Sequence, residues 1–351
     1  MPPTRPSPAP GGPARRAAIG DVARAAGVSV TTVSRVLNDA PDVGAATRER
    51  VKRVIADLGF VPSTAARWLS RGQSSVLTVL TTDVALYGYT QIVAGVHEVA
   101  EAHSIAVDVR LLPSDTADEV TTRNRLRGVL APGIGPVIVV DYGPAAHVAA
   151  ASLADKPDVV ALVRSKEAAQ AATGPRPPDR VMWLDEYTGM TLATRHLLAL
   201  GHRTVHHVAV PHGYADERSS GWRETLLQAG SPVPEPISAG WDAASGYRAA
   251  SVLGTDPTVT AVLCGNDDLA LGVMKGLAYL GRTVPGDVSV MGFDGRPETE
   301  FYAPALSTVA MDWRGLGRQA AARALEVELP DGDGVRAPYL VPRASTAAAQ
   351  G

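Results

Sequence analysis

The chain has 351 residues, of which 45% are hydrophobic and 20% are charged, a composition typical of a globular protein with two or three domains and a large core. No apolar run reaches the roughly 18 residues of a transmembrane helix, and the Pro- and Arg-rich N-terminus lacks the apolar segment of a secretory signal. The single cysteine, Cys264, excludes an internal disulfide and is expected to be a buried thiol, so we predict a cytoplasmic protein.

The charge is unevenly distributed along the chain. Residues 1–72 carry 11 Lys and Arg against 5 Asp and Glu, whereas the remainder carries 22 against 31. A positive N-terminal part on a negative body is expected when only one end of a protein meets a polyanion such as DNA. Arg48, Arg50, Lys52 and Arg53 are candidates for phosphate contacts or for a plain solvated helix face.

The first 16 residues are mostly Pro, Ala, Gly and Arg, and we expect a disordered tail.

The pattern of residues 17–62 predicts a helix-turn-helix domain. Ile19, Val22, Ala23 and Ala26 recur at helical spacing before Gly27, and Ser29 is a good N-cap for a second short helix. Two helices joined by a tight turn containing glycine are typical of a DNA-binding helix-turn-helix.

The second helix has an apolar face of Val33, Val36 and Leu37 and an opposite face of small polar and methyl-bearing groups with one arginine. Such groups suit base edges and thymine methyls in a major groove. We predict a third helix over 47–58 that buries Val51, Val54 or Ile55, and Leu58, and that ends at Gly59.

Residues 63–74 predict a linker about two helical turns long, and from Ser75 short apolar runs alternate with helical stretches up to residue 346, before a short tail. The predicted strands are VLTVLT, AVDVRLL, VIVVD, VVALV, RTVHHVAV, TAVLC and VSVMGF, and four of the predicted helices are YTQIVAGVHEVAEAH, GMTLATRHLLALGH, SSGWRETLLQAG and DDLALGVMKGLAYLG. Near-continuous apolar strands alternating with helices indicate parallel sheets covered on both faces. We therefore predict an α/β body of two doubly wound lobes, whose strand ends face each other across a cleft.

The runs DVARAAGVSVTTVSRVLN, TRERV, LGFVPSTAARWLSRG, VMWLDEYTGMTLATRHLLALGHR, RSSGW and TAVLCGNDDLALGVMKGLAYLGRTVPGDVSVMGFDG closely resemble the LacI/GalR family of bacterial transcription regulators. The resemblance covers nearly all of residues 18–346. It implies an N-terminal all-α helix-turn-helix headpiece with a hinge helix, followed by a two-lobed periplasmic-binding-protein-like sensor. It also implies a homodimer, a pseudo-palindromic operator in DNA and a small-molecule effector that is usually a sugar or related metabolite.

We predict contacts with operator DNA from eight residues, namely Ser29, Val30, Thr31, Thr32, Ser34, Arg35, Asn38 and Leu69. The resemblance places Leu69 where a leucine wedges between base pairs in the minor groove, although it could instead pack on the body as part of a linker. Two departures from the family pattern lie nearby. Trp68 stands where a small polar residue is commoner, and Ala18 stands where a capping threonine is common.

The effector cleft is predicted to hold Tyr89, Arg164, Arg218, Trp241, Asn266 and Asp294. Arg218 matches the arginine that binds the effector in the family, and the alternative interpretation is that it forms a surface salt bridge. Trp241 matches an aromatic residue that stacks on the ligand in some family members, and the alternative interpretation is that it is buried in the core. Arg164 occupies a position that is often acidic or polar, which hints at an anionic effector. Asp267 is expected to cap the following helix instead of contacting the ligand.

The remaining motifs give no support for an enzyme or a cofactor. His202, His206 and His207 lack a third ligand at metal-binding spacing, so we interpret them as structural. Asp83, Asp141, Asp185 and Asp294 could pair in three dimensions, but no catalytic motif accompanies them. Three functions therefore stay open, and we favour a ligand-responsive transcriptional repressor over a transporter's solute-binding protein or an α/β enzyme with an added DNA-binding module.

Overall fold

A computed structural model describes residues 19–37, 43–58, 60, 76–112, 119–127, 135–156, 158–166, 168–169, 178–211 and 217–350. The chain divides into two compact units, one covering residues 1–75 and the other residues 76–351. No helix within these described ranges is long and apolar enough to cross a membrane.

The first unit contains three helices, α1 (Ile19–Ala26), α2 (Val30–Leu37) and α3 (Ala45–Asp57). Gly27 makes the turn between α1 and α2 with φ +64°, a conformation that favours glycine. The Ser29 hydroxyl accepts a hydrogen bond from the Thr32 amide at 3.1 Å, so the predicted N-cap is confirmed. The helices enclose a small core whose buried members are Val22, Ala23, Ala26, Val33, Val36 and Val51.

Helix α3 differs from its prediction at both ends and in one buried residue. It begins at Ala45 instead of residue 47 and ends at Asp57. Leu58, which we expected in the core, is 41% exposed. Val54, Ile55 and Phe60 pack against the buried core in its place. Gly59, the expected helix terminator, lies outside the described residues.

The second unit begins with a parallel sheet that forms the first lobe of the body. Its strands are β1 (Val76–Thr81), β2 (Ala106–Leu111), β3 (Val137–Asp141), β4 (Val159–Val163) and β5 (Val181–Met182), in the spatial order β2-β1-β3-β4-β5. The helices between them are α4 (Tyr87–Ala102), α5 (Glu119–Leu126) and α6 (Pro144–Ser152). Strands β1 and β4 are almost wholly buried, as expected for a sheet covered on both faces.

The second lobe is built around another parallel sheet, in the order β7-β6-β8-β9. Its strands are β6 (His206–Ala209), β7 (Ile237–Ser238), β8 (Ala261–Cys264) and β9 (Ser289–Met291). Helices α7 (Glu186–Ala199), α8 (Glu217–Gln228), α9 (Ala243–Leu253) and α10 (Asp267–Tyr279) accompany them. An antiparallel pair, β10 (Thr308–Ala310) and β11 (Tyr339–Val341), flanks the last helix, α11 (Trp313–Leu325).

The predicted architecture of two doubly wound lobes is confirmed. Each of the seven predicted strands is present, and those over 76–81, 137–141 and 159–163 have the predicted bounds. The prediction omitted β5, β7, β10 and β11, which are only two or three residues long. Helix α11 returns to the first lobe, where it packs closely on α4.

Candidate functional site

A pocket lies in the second unit where the carboxyl ends of the strands of both sheets meet. It encloses about 440 Å³ of empty space, including its open mouth. All six residues predicted to bind an effector line this pocket, namely Tyr89, Arg164, Arg218, Trp241, Asn266 and Asp294. Seven further residues complete the lining, and these are Leu86, Tyr87, Gly88, Tyr142, Glu186, Asp268 and Trp313.

The fold explains why residues so far apart in sequence converge here. Tyr142 and Arg164 follow β3 and β4 directly in the first sheet, and Asn266 and Asp294 follow β8 and β9 in the second sheet. Because parallel strands end at the same edge of a sheet, the residues after them collect there. The first lobe thus supplies one wall of the pocket and the second lobe supplies the other.

Arg218, in the first turn of α8, is buried and already bonded to the protein. Its guanidinium donates to the Glu186 carboxylate at 2.7 Å, to the Asp294 carboxylate at 3.4 Å and to the carbonyl of Gly265. It also lies over the Phe293 ring, 4.5 Å from the ring centroid. The expected alternative, a surface salt bridge, is wrong because this ion pair is buried within the pocket wall. Burial favours the neutral form of an arginine, but the two carboxylates outweigh it and raise the pKa of Arg218.

Asp294 occupies a strained backbone position at the end of β9. Its φ is +105°, a backbone angle that residues other than glycine rarely adopt. The conformation is held by two hydrogen bonds, from its amide to the Val309 carbonyl at 2.9 Å and from the Met311 amide to its own carbonyl at 3.3 Å. Burial raises the pKa of Asp294 to about 7, although nearby Arg218 favours the charged form. Such strain is typical of functional positions.

Arg164 follows β4 and lies between two aromatic rings. Its guanidinium carbon is 5.1 Å from the centroid of Tyr142, in the first lobe, and 5.4 Å from that of Trp241, in the second lobe. It donates one hydrogen bond to the Tyr142 carbonyl at 3.2 Å. Trp241 itself is half-buried, and it both packs against the core of the second lobe and lines the pocket.

Asn266 uses both ends of its side chain amide within the protein. The oxygen accepts from the Leu269 amide at 2.7 Å, and the nitrogen donates to the Trp241 carbonyl at 2.9 Å. Asn266 is therefore the N-cap of α10, and the expectation that Asp267 would cap this helix is wrong. The cap requires extended backbone, which Asn266 has, whereas Asp267 is already the first helical residue.

Asp267 instead ties together the strand ends of the second lobe. Its carboxylate accepts from the Thr308 hydroxyl at 2.6 Å and from the Arg296 amide at 2.8 Å. Burial is the main cause that raises the pKa of Asp267 to about 8, and the negative charge of Asp294 adds to it. This side chain is fully buried and does not line the pocket, so its contribution is to hold the backbone that carries Asp294.

Aromatic side chains form much of the pocket wall, and most of them were not predicted from the sequence. Tyr89 and Tyr142 pack edge to face with their ring centroids 5.6 Å apart, and Tyr142 is 6.4 Å from Trp313. Tyr142 and Glu186 lie at or near strand ends, and this position could have predicted that they line the pocket. Tyr87, Asp268 and Trp313 were not predicted either.

In the first unit, the predicted groove-facing residues do not all have the same environment. Val30 is 48% exposed, and Thr31 and Arg35 are also exposed. Ser29 and Thr32 share a hydrogen bond between their hydroxyls at 2.9 Å, which fixes the start of α2. Ser34 is half-buried. The predicted contacts Asn38 and Leu69, like Trp68 and Ala18, lie outside the described residues.

The other residues singled out from the sequence have structural partners. His202 is within hydrogen-bond distance of Thr260 and Ser289, and His207 of the Leu263 carbonyl. Among the described residues, no group of three or more His, Cys, Asp or Glu could hold a metal ion. The expected burial of Cys264 is confirmed.

The carboxylates considered for a hydrolytic pair have separate local roles. Asp185 caps α7 by accepting from the Thr188 amide at 2.8 Å, and Asp83 accepts from the Leu86 amide at 3.2 Å. The Asp141 side chain is not among those described. Asp294 pairs with Arg218.

Comparisons with known proteins find a separate match in each of the two units. Residues 18–63 match bacterial regulatory proteins of the lacI family, and residues 194–346 match a periplasmic binding protein-like domain. The chain is 31% identical to the lactose operon repressor of Escherichia coli K12 over 92% of its own length and 87% of the repressor's length. It is 30% identical to the regulator GalR of the same organism, over 94% and 95% of the two chains.

Solved structures of the same fold give a consistent result. A lac repressor dimer bound to operator and the anti-inducer ONPF superposes with a TM-score of 0.76 at 29% identity, covering 95% of this chain and all of that chain. The complex of the transcriptional regulator CelR with cellobiose superposes with a TM-score of 0.62 at 27% identity, covering 94% of this chain and all of that chain.

Proposed function

The chain belongs to the LacI family of bacterial regulatory proteins, and on that premise we propose how its residues divide the work of a ligand-responsive, sequence-specific transcriptional repressor. Its relatives are named as repressors and regulators, and one related structure is a dimer bound to operator DNA. This chain accordingly acts as a homodimer on a pseudo-palindromic operator, since two symmetry-related headpieces require two inverted half-sites.

We propose that α2 is the recognition helix. Val30, Thr31 and Arg35 are exposed together on one side of α2, while Val33 and Val36 hold the other side in the core. An arginine in a major groove donates two hydrogen bonds to a guanine, and a valine packs against a thymine methyl group. Ser29 and Thr32 fix the helix start and approach the phosphate backbone, with Ser34 beside them.

We propose that residues 63–74 form the hinge, with Leu69 as the minor-groove wedge, and that Asn38 is a further DNA contact.

We propose that the pocket of the second unit binds the effector, and one observation carries this assignment. The strand ends of both lobes supply a single cavity lined by five aromatic rings, namely Tyr87, Tyr89, Tyr142, Trp241 and Trp313, together with carboxylates and arginines. The whole chain has only 17 aromatic residues, so five in one cavity is a strong local enrichment. Flat rings suit the C–H face of a sugar, and carboxylates accept hydrogen bonds from hydroxyl groups.

The effector acts through the relative position of the two lobes. Several contacts join the lobes, including Arg164 with Trp241, Arg296 over the ring of Tyr87 at 5.5 Å, and the Lys166 amide with the Glu217 carboxylate at 3.1 Å. A ligand that enters here must change such contacts, and it thereby favours one arrangement of the lobes over another. DNA affinity then depends on the ligand because the two sites share that equilibrium.

We further propose that the protein has no catalytic activity. The relatives named above are transcriptional regulators. The two buried carboxylates in the pocket wall, Glu186 and Asp294, both pair with Arg218, which leaves neither as an unengaged general base. An effector recovered unchanged after prolonged incubation with the protein would agree with this assignment, whereas turnover would contradict it.

Selection of binding sites from random duplex DNA tests the proposed function. The purified full chain should enrich an inverted repeat, with the two half-sites related by the dimer axis. Enrichment should fall steeply with salt, because phosphate contacts release counterions. Recovery of sequences without any repeat, at every salt concentration, would contradict the assignment.

A further inference from the structure

We propose that the effector of this protein is an anionic carbohydrate, a sugar or polyol that carries a carboxylate or a phosphate, and that Arg164 is the residue that selects its charge. The proposal rests on the proposed function of the pocket and specifies the ligand class. It follows from a comparison of the three arginines at the pocket.

Two of these arginines are already neutralised by the protein. Arg218 pairs with Glu186 and Asp294 at 2.7 and 3.4 Å. Arg296, beside the pocket, pairs with Asp268 at 2.6 Å and with Glu298 at 3.6 Å. Their charges are thus balanced before a ligand arrives, and binding an anion at either would require breaking an existing ion pair.

Arg164 differs from both because no carboxylate in the described part of the chain pairs with it. Its polar contacts are a backbone carbonyl, that of Tyr142, and the phenol group of Tyr89. Its Nε is buried and has no hydrogen-bond partner among the described residues, as is also the case for Arg218 and Arg296, so the lack of a carboxylate partner is what sets Arg164 apart. A guanidinium without a carboxylate partner in a ligand-sized cavity is a site for a carboxylate or a phosphate, either of which has two oxygens that can accept parallel hydrogen bonds.

The surroundings of Arg164 hold it in place for this role. The rings of Tyr142 and Trp241 lie 5.1 and 5.4 Å from its guanidinium carbon, and the hydrogen bond to the Tyr142 carbonyl fixes its orientation. A cation stacked on rings keeps its charge while its edge donors stay available. Arg164 therefore needs no large rearrangement to meet an anion, which lowers the cost of binding.

The rest of the pocket argues that the anion is attached to a carbohydrate instead of an apolar group. Trp241 and Trp313 offer flat faces, while Glu186, Asp268 and Asp294 offer acceptors that suit hydroxyl groups. These same carboxylates are paired with Arg218 or Arg296, so no uncompensated positive charge lies beside them. The charged end of the ligand therefore lies at Arg164 and its hydroxyl groups lie toward Asp294. The carboxylates and the arginine thus select a ligand with distinct charged and hydroxylated ends.

The test compares neutral and anionic sugars of matched structure. Glucose, glucuronate, gluconate and glucose 6-phosphate, with the corresponding galactose series, are titrated into the full chain at constant ionic strength, and affinity is measured by calorimetry. Arg164→Met keeps the apolar stem and removes the charge, and Arg164→Lys keeps the charge without the planar fork. Arg248→Met changes an exposed arginine of α9 and is the matched control.

We expect at least one anionic sugar to bind about tenfold or more tightly than its neutral partner, with the carboxylate and phosphate members distinguishing the two kinds of anion. Arg164→Met should abolish that preference while keeping weak neutral-sugar binding, Arg164→Lys should be intermediate, and Arg248→Met should match the wild type.

Equal or tighter binding of neutral sugars that is unaffected by Arg164→Met would overturn the proposal but leave the effector site intact. Failure of every anionic sugar to bind would also overturn it. Failure of the proposed function is separate and would appear as loss of inverted-repeat DNA selection.

Discussion

Arg218 shows how far single residues could be predicted. Its membership of the pocket followed from a short motif, and the structure places it there. Its ion-pair partners could not be predicted from the sequence, because Glu186 and Asp294 are 32 and 76 residues away along the chain and come close to Arg218 only in the folded protein. The same limit explains why Tyr87, Asp268 and Trp313 were missed, since only the three-dimensional fold determines which residues near a strand end face the pocket.

Removal of Arg218 should destabilise the body strongly. Arg218→Met would leave two buried carboxylates without their cation, and breaking a buried ion pair in this way costs about 3–5 kcal/mol. Urea unfolding followed by circular dichroism measures the loss. The double variant Arg218→Met with Glu186→Gln should recover part of it, because one unpaired charge is removed with the cation. A double variant no more stable than Arg218→Met would contradict the pairing.

Asp267 should make the stability of the body depend on pH. Its pKa is raised to about 8 in the folded protein, so the folded state binds a proton more tightly than the unfolded state. The stabilisation is complete below the unfolded pKa near 4 and is lost as pH rises toward 8. Asp294, with a pKa of about 7, acts in the same direction.

Measurement of the unfolding free energy from pH 5 to pH 9 checks this dependence. Stability of the wild type should fall between pH 5 and 8 by at most about 1.4 kcal/mol per pH unit for each proton, then level off. Asp267→Asn should show a shallower slope because it cannot titrate. Identical slopes for the two proteins would exclude Asp267 as the source.

Among the elements, the sequence was most informative where a strand is a continuous apolar run. The strands over 137–141 and 159–163 were predicted with correct bounds because they are continuous apolar runs buried on both sides. The bounds of α3 were less accurate, since Gly44 provides its N-cap without a side-chain hydrogen bond. Leu58 fits the helical period but lies beyond the last residue of α3, so periodicity alone could not place it.

The contact between α4 and α11 should tolerate no side chain at Gly95. A Cβ there would lie 2.1 Å from the backbone oxygen of Arg314, so the helices would have to separate. We expect Gly95→Ala to lower the unfolding free energy by about 1–3 kcal/mol or more, as overpacking does. Gly334→Ala is the matched control, because no heavy atom of a described residue lies within 4 Å of the place its Cβ would take, and its effect should be small. A neutral Gly95→Ala would contradict the close packing.

Helix α2 should read bases through Arg35. Arg35→Ala is expected to weaken operator binding by about 1–3 kcal/mol and to relax selectivity at one base pair of each half-site. Arg53→Ala, an exposed position on α3, should weaken binding to all sequences alike if it contacts phosphate. Competition binding with single-base operator variants distinguishes these outcomes. Equal losses on every sequence for Arg35→Ala would reassign it to the phosphate backbone.

At the scale of the whole molecule, the second unit exposes an apolar surface that suits a dimer. Leu271 and Tyr279 lie two helical turns apart on α10, and Tyr279 is 78% exposed. The Tyr247 ring, on α9, is 6.3 Å from that of Tyr279. Exposed apolar groups clustered on adjoining helices mark an interaction surface.

A charge in this surface should weaken the dimer. Leu271→Asp places a carboxylate where a second copy would bury it, so we expect a shift toward monomer in sedimentation velocity at micromolar protein concentration. Leu227→Asp is the control, since Leu227 is 62% exposed on a different helix, α8. An unchanged dimer in Leu271→Asp would locate the interface elsewhere.

Ligand binding in the pocket should change the affinity of the protein for DNA. The affinity of the full-length dimer for its selected inverted repeat is measured by fluorescence anisotropy with and without a saturating pocket ligand, for the wild type and for Trp241→Ala. We predict a ligand-dependent change of about fivefold or more in the wild type, typical of allosteric coupling. The change should be lost or shifted to higher ligand concentration in Trp241→Ala. A wild-type operator affinity that stays the same with the pocket occupied would contradict the account.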